Sequence, residues 1–268
     1  MKYKKLDFKI IMSTLSLIAL SGLITGSFYD LQINKLLYMR GSFYPSLFRL
    51  SGEMPMVISL VALSLIYIKN APKDNYLPLG FCLTALLAYP IVSGLGIPKY
   101  FDSKNPFFSL AIIFFYYVCG FVLSKKLKFS DKNQALKYIL IVIISFTAIF
   151  LVTEIMKNIW GRMRFFEMLR TTDYSGFTDW WVMKGRPASD IFKSFPSGHT
   201  SAAASILILL KLDSYFKIEK AKMLKIFLIA WPIFVFISRI LDGAHFLSDA
   251  SVGLLIAIII SYLAERKL

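Results

Sequence analysis

The chain holds two histidines, His199 and His245, and each stands among residue types suited to work on a phosphate group. Asp249 follows His245 by four residues, one helical turn, so the two share a helix face. A carboxylate there binds one imidazole nitrogen, fixes the tautomer and leaves the other nitrogen as a nucleophile. Just before them, Ser238-Arg239 closes an apolar run, which brings Arg239 to the same end. His199 belongs to Ser194-Phe195-Pro196-Ser197-Gly198-His199-Thr200, where a basic loop turns into an apolar helix. Proline suits a first helical turn, Gly198 lets a ligand approach the backbone, and free N–H groups at a helix N-terminus attract anions. A plain helix cap uses the same residue types. Lys157 and Arg164 lie seven apart, about two turns if helical, so both can face one site at different heights. There is no acidic cage for Mg²⁺ and no Cys/His set for zinc, so neither a metal nor a cofactor is expected. Fixed cations around paired imidazoles suit phosphoryl transfer, which depends on positioning and on neutralising charge on three oxygens.

The rest of the chain must hold these residues, and its composition says in what medium. Of 268 residues, 57% are hydrophobic and 18% charged, with a mean hydropathy of +0.62. That is too apolar for a water-facing globule, and 24 Phe and 14 Tyr exclude a disordered chain. The net charge of +15 therefore calls for a membrane explanation, and no nucleic-acid partner is expected. A helix crossing about 30 Å of hydrocarbon needs about 20 apolar residues. Such windows fall at 10–29, 51–68, 76–97, 106–123, 138–156, 197–212, 224–240 and 245–264. The expectation is an all-α, polytopic transmembrane helix bundle of about eight spans. The second window is the weakest, being short and carrying Glu53. Gly22-x3-Gly26 reads as ordinary helix packing, and Pro90 and Pro232 as kinks. Cys82 and Cys119, inside apolar runs, read as free buried thiols. The charged start and long apolar run without a cleavage pattern indicate a retained signal-anchor helix.

Cytoplasmic loops collect Lys and Arg. With both termini inside, 18 of the 31 basic residues fall on the cytoplasmic side, among them Lys2, Lys4, Lys5 and Lys9. The exception is the outer loop 158–196 with its border, which carries Lys157, Arg162, Arg164, Arg170, Lys184, Arg186 and Lys193. Surplus positive charge there suggests an anionic ligand at the outer face. Residues 1–134 then form N-terminal spans without the charged segments, and 135–268 form the part that carries them.

These segments resemble the signature of the type 2 phosphatidic acid phosphatase superfamily: K-x6-R-P, P-S-G-H and S-R-x5-H-x3-D. Here they read Lys157-x6-Arg164-Phe165, Pro196-Ser197-Gly198-His199 and Ser238-Arg239-x5-His245-x3-Asp249. The second and third are complete, whereas Phe165 replaces the proline of the first, which bears on the local loop geometry. The resemblance implies a six-span catalytic core with two N-terminal additions. It also implies a metal-independent lipid phosphate or diphosphate phosphatase in the cell membrane, working at the extracytoplasmic face. Its substrates would be undecaprenyl diphosphate, phosphatidylglycerophosphate or phosphatidic acid. By the same resemblance His245 attacks phosphorus to give a phosphohistidine, Asp249 orients it, and His199 protonates the leaving oxygen and then activates water. Lys157, Arg164, Ser197, the Gly198 amide and Arg239 hold the phosphate oxygens, and vanadate inhibits. The partners are the lipid phosphate and the surrounding membrane lipids; the sequence sets no oligomeric state. Two alternatives stay open at this point: transfer of the phosphate to an acceptor other than water, and a non-enzymatic transporter, which would need charges deep within the spans.

Overall fold

The computed structural model describes residues 8–98 and 105–268, so Lys2, Lys4 and Lys5 lie outside the described residues. The chain is almost entirely helical. The helices α1 (Phe8–Leu37), α2 (Phe43–Ser51), α3 (Met54–Asn70), α4 (Tyr76–Gly96) and α5 (Pro106–Lys126) come first. They are followed by α6 (Lys132–Trp160), α7 (Phe165–Thr171), α8 (Gly198–Ser205), α9 (Leu212–Tyr215), α10 (Ala221–Leu241) and α11 (Leu247–Glu265). Among the described residues seven segments are long and apolar enough to cross a membrane.

The expected span at 197–212 is not among these seven, because its helix is interrupted. Between α8 and α9 the chain tightens into a 3₁₀ segment, Ile206–Lys211. At about 1.5 Å per residue in the α parts and about 2.0 Å in the 3₁₀ part, 198–215 still extends about 30 Å. Tightening leaves a backbone carbonyl without its usual partner, and Tyr138 O–H from α6 donates to Ile208 O at 3.2 Å. This run lies in the middle of the bundle, where Ile206, Leu207 and Ile208 pack with Leu60 of α3 and Val142 and Phe146 of α6. Outward, Ile24 and Phe28 of α1 and Phe107 and Phe114 of α5 are exposed, as side chains facing lipid are. Cys82 is buried as expected, while Cys119 is half-buried.

Successive crossings alternate in direction, so α1, α4, α6 and α10 end at the face where α3, α8 and α11 begin. At the other face β1 (Lys128–Phe129) pairs antiparallel with β2 (Phe216–Lys217), joining two loops. The long N-terminal helix runs past the expected window: α1 continues to Leu37 and packs along α11. Gly22 and Gly26 form that contact, since a Cβ on Gly22 would lie 2.5 Å from Ser251 Oγ and one on Gly26 would lie 2.8 Å from Ser248 N. The packing role expected of these glycines is therefore a close approach of α1 to the start of α11.

Candidate active site

Four of the helix ends at that face, those of α6 and α10 and the starts of α8 and α11, carry the three charged segments. α6 stops at Trp160 because Gly161 takes a left-handed conformation (φ 61°). Lys157 and Arg164 are thus not two turns apart on one helix. Arg164 arrives on a short extended turn, and its N–H donates to Ile191 O at 2.9 Å. Arg164 has φ −78° and ψ 145°, and Phe165 opens α7. A residue before proline prefers this conformation, and the first helical position tolerates proline. The backbone at Phe165 is therefore one that proline would also accept, and the phenylalanine adds packing: the ring is buried against Tyr38, at 5.6 Å, and Phe246, at 6.3 Å.

Lys157 Nζ donates to Glu154 at 3.0 Å. A Cβ on Gly198 would lie 2.5 Å from that Nζ, so the glycine of the second segment makes room for the lysine. Ser197 is fully buried and caps α8, accepting from Thr200 N at 3.4 Å and from Thr200 Oγ1 at 2.9 Å. Its hydroxyl serves the helix end, and the structure does not turn it toward the charged cavity. Gly253 on α11 lets this turn sit close, since a Cβ there would lie 2.5 Å from Ser197 O.

The third segment forms the turn from α10 to α11. Gly243 (φ 65°) reverses the chain, and His245 N donates to Arg239 O at 3.3 Å. His245 Nδ1 donates to the backbone carbonyl of Ser194 at 2.5 Å, which leaves Nε2 to the cavity. Asp249 lies farther off, 4.0 Å from Nδ1, so the direct carboxylate–imidazole bond expected from the spacing is not made. Asp249 is fully buried and acts one layer behind. Its Oδ2 accepts from Ser194 Oγ at 2.5 Å and from Phe246 N at 2.8 Å, and its Oδ1 accepts from Arg162. The carboxylate thereby holds both the residue that orients His245 and the first turn of α11. The reason is packing: the 194–197 turn lies between α11 and the imidazole.

His199, His245, Lys157, Arg164 and Arg239 line one cavity of about 340 Å³. His199 Nε2 donates to Arg49 O at 3.1 Å, and its Nδ1 lies 3.7 Å from the Glu53 carboxylate. Arg239 is buried, with Nη2 donating to Pro45 O at 3.0 Å and Nη1 3.5 Å from Asp242 Oδ2. Arg164 Nε is buried and has no partner among the described residues. Arg40, Arg49 and Lys193 add further positive charge to the same walls. His245 lies in the turn outside the spanning helices. Its burial first, and then the nearby Arg164, Lys157, Arg239 and His199, hold its imidazole well below the usual value, so the ring is neutral at pH 7. Among the described residues no group of three or more His, Cys, Asp and Glu is arranged to hold a metal ion.

Several members of this site carried no specific site role in the sequence. Asp30, Arg49 and Glu53 come from the N-terminal helices, and Arg162 and Ser194 from the loop. Glu53 had a signal, a carboxylate inside an apolar run, which lipid tolerates poorly without a partner, whereas Asp30 stands just past the end of one. Ser194 acts through its backbone carbonyl, which residue type does not disclose. Trp180 also turns inward: its Nε1 donates to Ser27 Oγ of α1 at 2.9 Å, while Trp181 remains exposed.

The family model described as PAP2 superfamily matches residues 134–266, and the chain belongs to that superfamily. The matched segment contains all three charged segments and excludes α1 to α5. Searches of curated proteins and of solved structures found no match. The protein is a multi-pass membrane protein of a phosphatase family.

Proposed function

We propose that the protein is a lipid phosphate or diphosphate phosphatase that works without a metal ion through a phosphohistidine on His245. The observation that carries this reading is the single cavity in which a neutral, carbonyl-anchored His245 faces His199 among Lys157, Arg164 and Arg239. Lys157, Arg164 and Arg239 hold the phosphate oxygens. Nε2 of His245 attacks phosphorus as the bond to the lipid oxygen breaks, and His199 supplies the proton that oxygen takes up. Water then gives its proton back to His199 and attacks phosphorus, the P–N bond breaks, and inorganic phosphate leaves. Throughout, the proton on Nδ1 stays hydrogen-bonded to Ser194.

A second, mostly apolar cavity supports a lipid substrate. It shares Glu53, Glu154 and Lys157 with the charged one and runs between Met56, Val57, Tyr89, Phe146 and Phe150. A headgroup in one and the start of an acyl or isoprenoid chain along the other fit this arrangement. The basic residues concentrated in the remaining loops favour the extracytoplasmic face for the site.

The test is phosphate release from a panel of lipid monophosphates and diphosphates by the purified protein, with and without EDTA. We expect activity that survives chelation, is inhibited by vanadate and is abolished in His245→Ala and His199→Ala proteins that still insert. Full activity in either variant overturns the mechanism, and label passing from donor to another lipid instead of to water overturns the hydrolase assignment.

A further inference from the structure

Outside the matched segment, α1 carries a stripe whose members recur every four residues: the half-buried Gly22 and the buried Gly26, Asp30 and Asn34. The spacing places them on one face, and that face lies against the α10–α11 turn. Asp30 is 2% exposed. A carboxylate so completely buried requires strong partners. Its Oδ1 accepts from Ser248 N at 3.0 Å, and its Oδ2 accepts from Arg162 Nη2 at 2.9 Å and from Ser248 Oγ. Arg162, fully buried, uses its other nitrogens on Ser248 Oγ, at 2.8 Å, on Asp249, and on Thr178 O, at 2.8 Å. One guanidinium thus bridges a carboxylate of α1 to the carboxylate behind His245. One turn further along α1, Asn34 Nδ2 donates to Ile240 O at 3.3 Å and to His245 O at 3.2 Å. The turn that carries His245 is therefore held at its start by Asn34 and at its end by Asp30.

We propose that Asp30 is a positioning residue for the reaction at His245: through Arg162 and Ser248 it fixes Asp249 and the first turn of α11, which makes α1 part of the catalytic unit. The proposal rests on the reading of His245 as the nucleophile. Asp30 contacts none of Lys157, Arg164 or Arg239, so its loss changes alignment and leaves phosphate binding intact.

The experiment compares Asp30→Asn with Ile24→Ala, a lipid-facing change on the same helix, in the purified full-length protein. We expect kcat to fall at least about tenfold in Asp30→Asn with KM within about twofold, and no change in Ile24→Ala. The double variant Asp30→Asn with Arg162→Gln should be no worse than the poorer of its two single variants, because both break one network. Hydrogen exchange of the 240–250 amides should quicken in Asp30→Asn and stay as in the wild type in Ile24→Ala. Should Asp30→Asn fail to accumulate, Ser248→Ala removes one of the same contacts and is read in the same way. An unchanged kcat overturns the proposal, as does a parallel loss of kcat, substrate affinity and thermal stability. If the wild-type protein releases no phosphate from any lipid, the assignment of function fails on its own, and unchanged exchange over 240–250 still overturns the positioning role.

Discussion

Asp249→Asn separates a carboxylate that touches His245 from one that holds the residues touching it. Oδ1 faces the Arg162 guanidinium, and Oδ2 faces the Ser194 hydroxyl and the Phe246 N–H. An amide has one oxygen, so in either orientation its NH₂ points at a donor. If the oxygen stays with Ser194 and Phe246, Arg162 meets an N–H and keeps Asp30 as its one carboxylate; in the reverse orientation the Ser194 hydroxyl and the Phe246 N–H lose their acceptor. A buried polar group deprived of its partner costs about 1–3 kcal/mol. At about 1.4 kcal/mol per factor of ten, that loss expressed in the alignment of His245 lowers kcat about 5- to 150-fold. KM should stay within about threefold, because Lys157, Arg164 and Arg239 keep their places. The assay is inorganic phosphate release from a lipid monophosphate in detergent micelles, alongside thermal unfolding of the same preparations. Ser194→Ala, which keeps the carbonyl and removes the hydroxyl, should lose less than Asp249→Asn. If a folded Asp249→Asn protein is as inactive as His245→Ala, the carboxylate acts on the imidazole directly. Activity within twofold of wild type refutes the two-layer reasoning altogether.

The remaining predictions concern protonation, the first charged segment and substrate choice. His245 reacts as the neutral base and its pKa is depressed, so the acid limb of kcat/KM should lie below pH 6.5, activity falling as pH drops through the depressed value. Arg164→Gln removes one of the cations responsible and should move that limb upward in a pH–rate profile; a limb that stays in place counts against the electrostatic cause. Phe165→Pro should leave KM unchanged, because Arg164 already has the backbone that a following proline demands. It should lower the melting temperature by the loss of a buried ring, worth about 3 kcal/mol. Arg40 and Lys193 line the cavity outside the superfamily signature. Their joint replacement by alanine should lower kcat/KM for a lipid diphosphate about tenfold more than for the monophosphate, measured on matched chains.

Much of the site was legible from local pattern. Lys157, Arg164, His199, Arg239 and His245 could be proposed as one group because each ends or begins an apolar run. In a bundle of alternating crossings, such residues share a face. What local pattern missed were the partners. The bond from Asp30 to Arg162 joins residues 132 apart in the chain. His199 and its Arg49 carbonyl are 150 apart, and no periodicity relates such positions. The interruption of the 197–212 window was also hidden, since an apolar window reads alike whether its backbone is α or 3₁₀.

Taken alone, the sequence determined the medium, the all-helical architecture and the family, because hydrophobicity accumulates residue by residue and the family's charged residues can be read at their spacing wherever they stand. Tertiary packing decided which acceptor orients His245, that Asp249 sits behind Ser194, and that α1 reaches the turn that carries His245. Those outcomes depend on how closely two helices approach, and Gly22 and Gly26 acquire that meaning only once Ser251 and Ser248 stand opposite them.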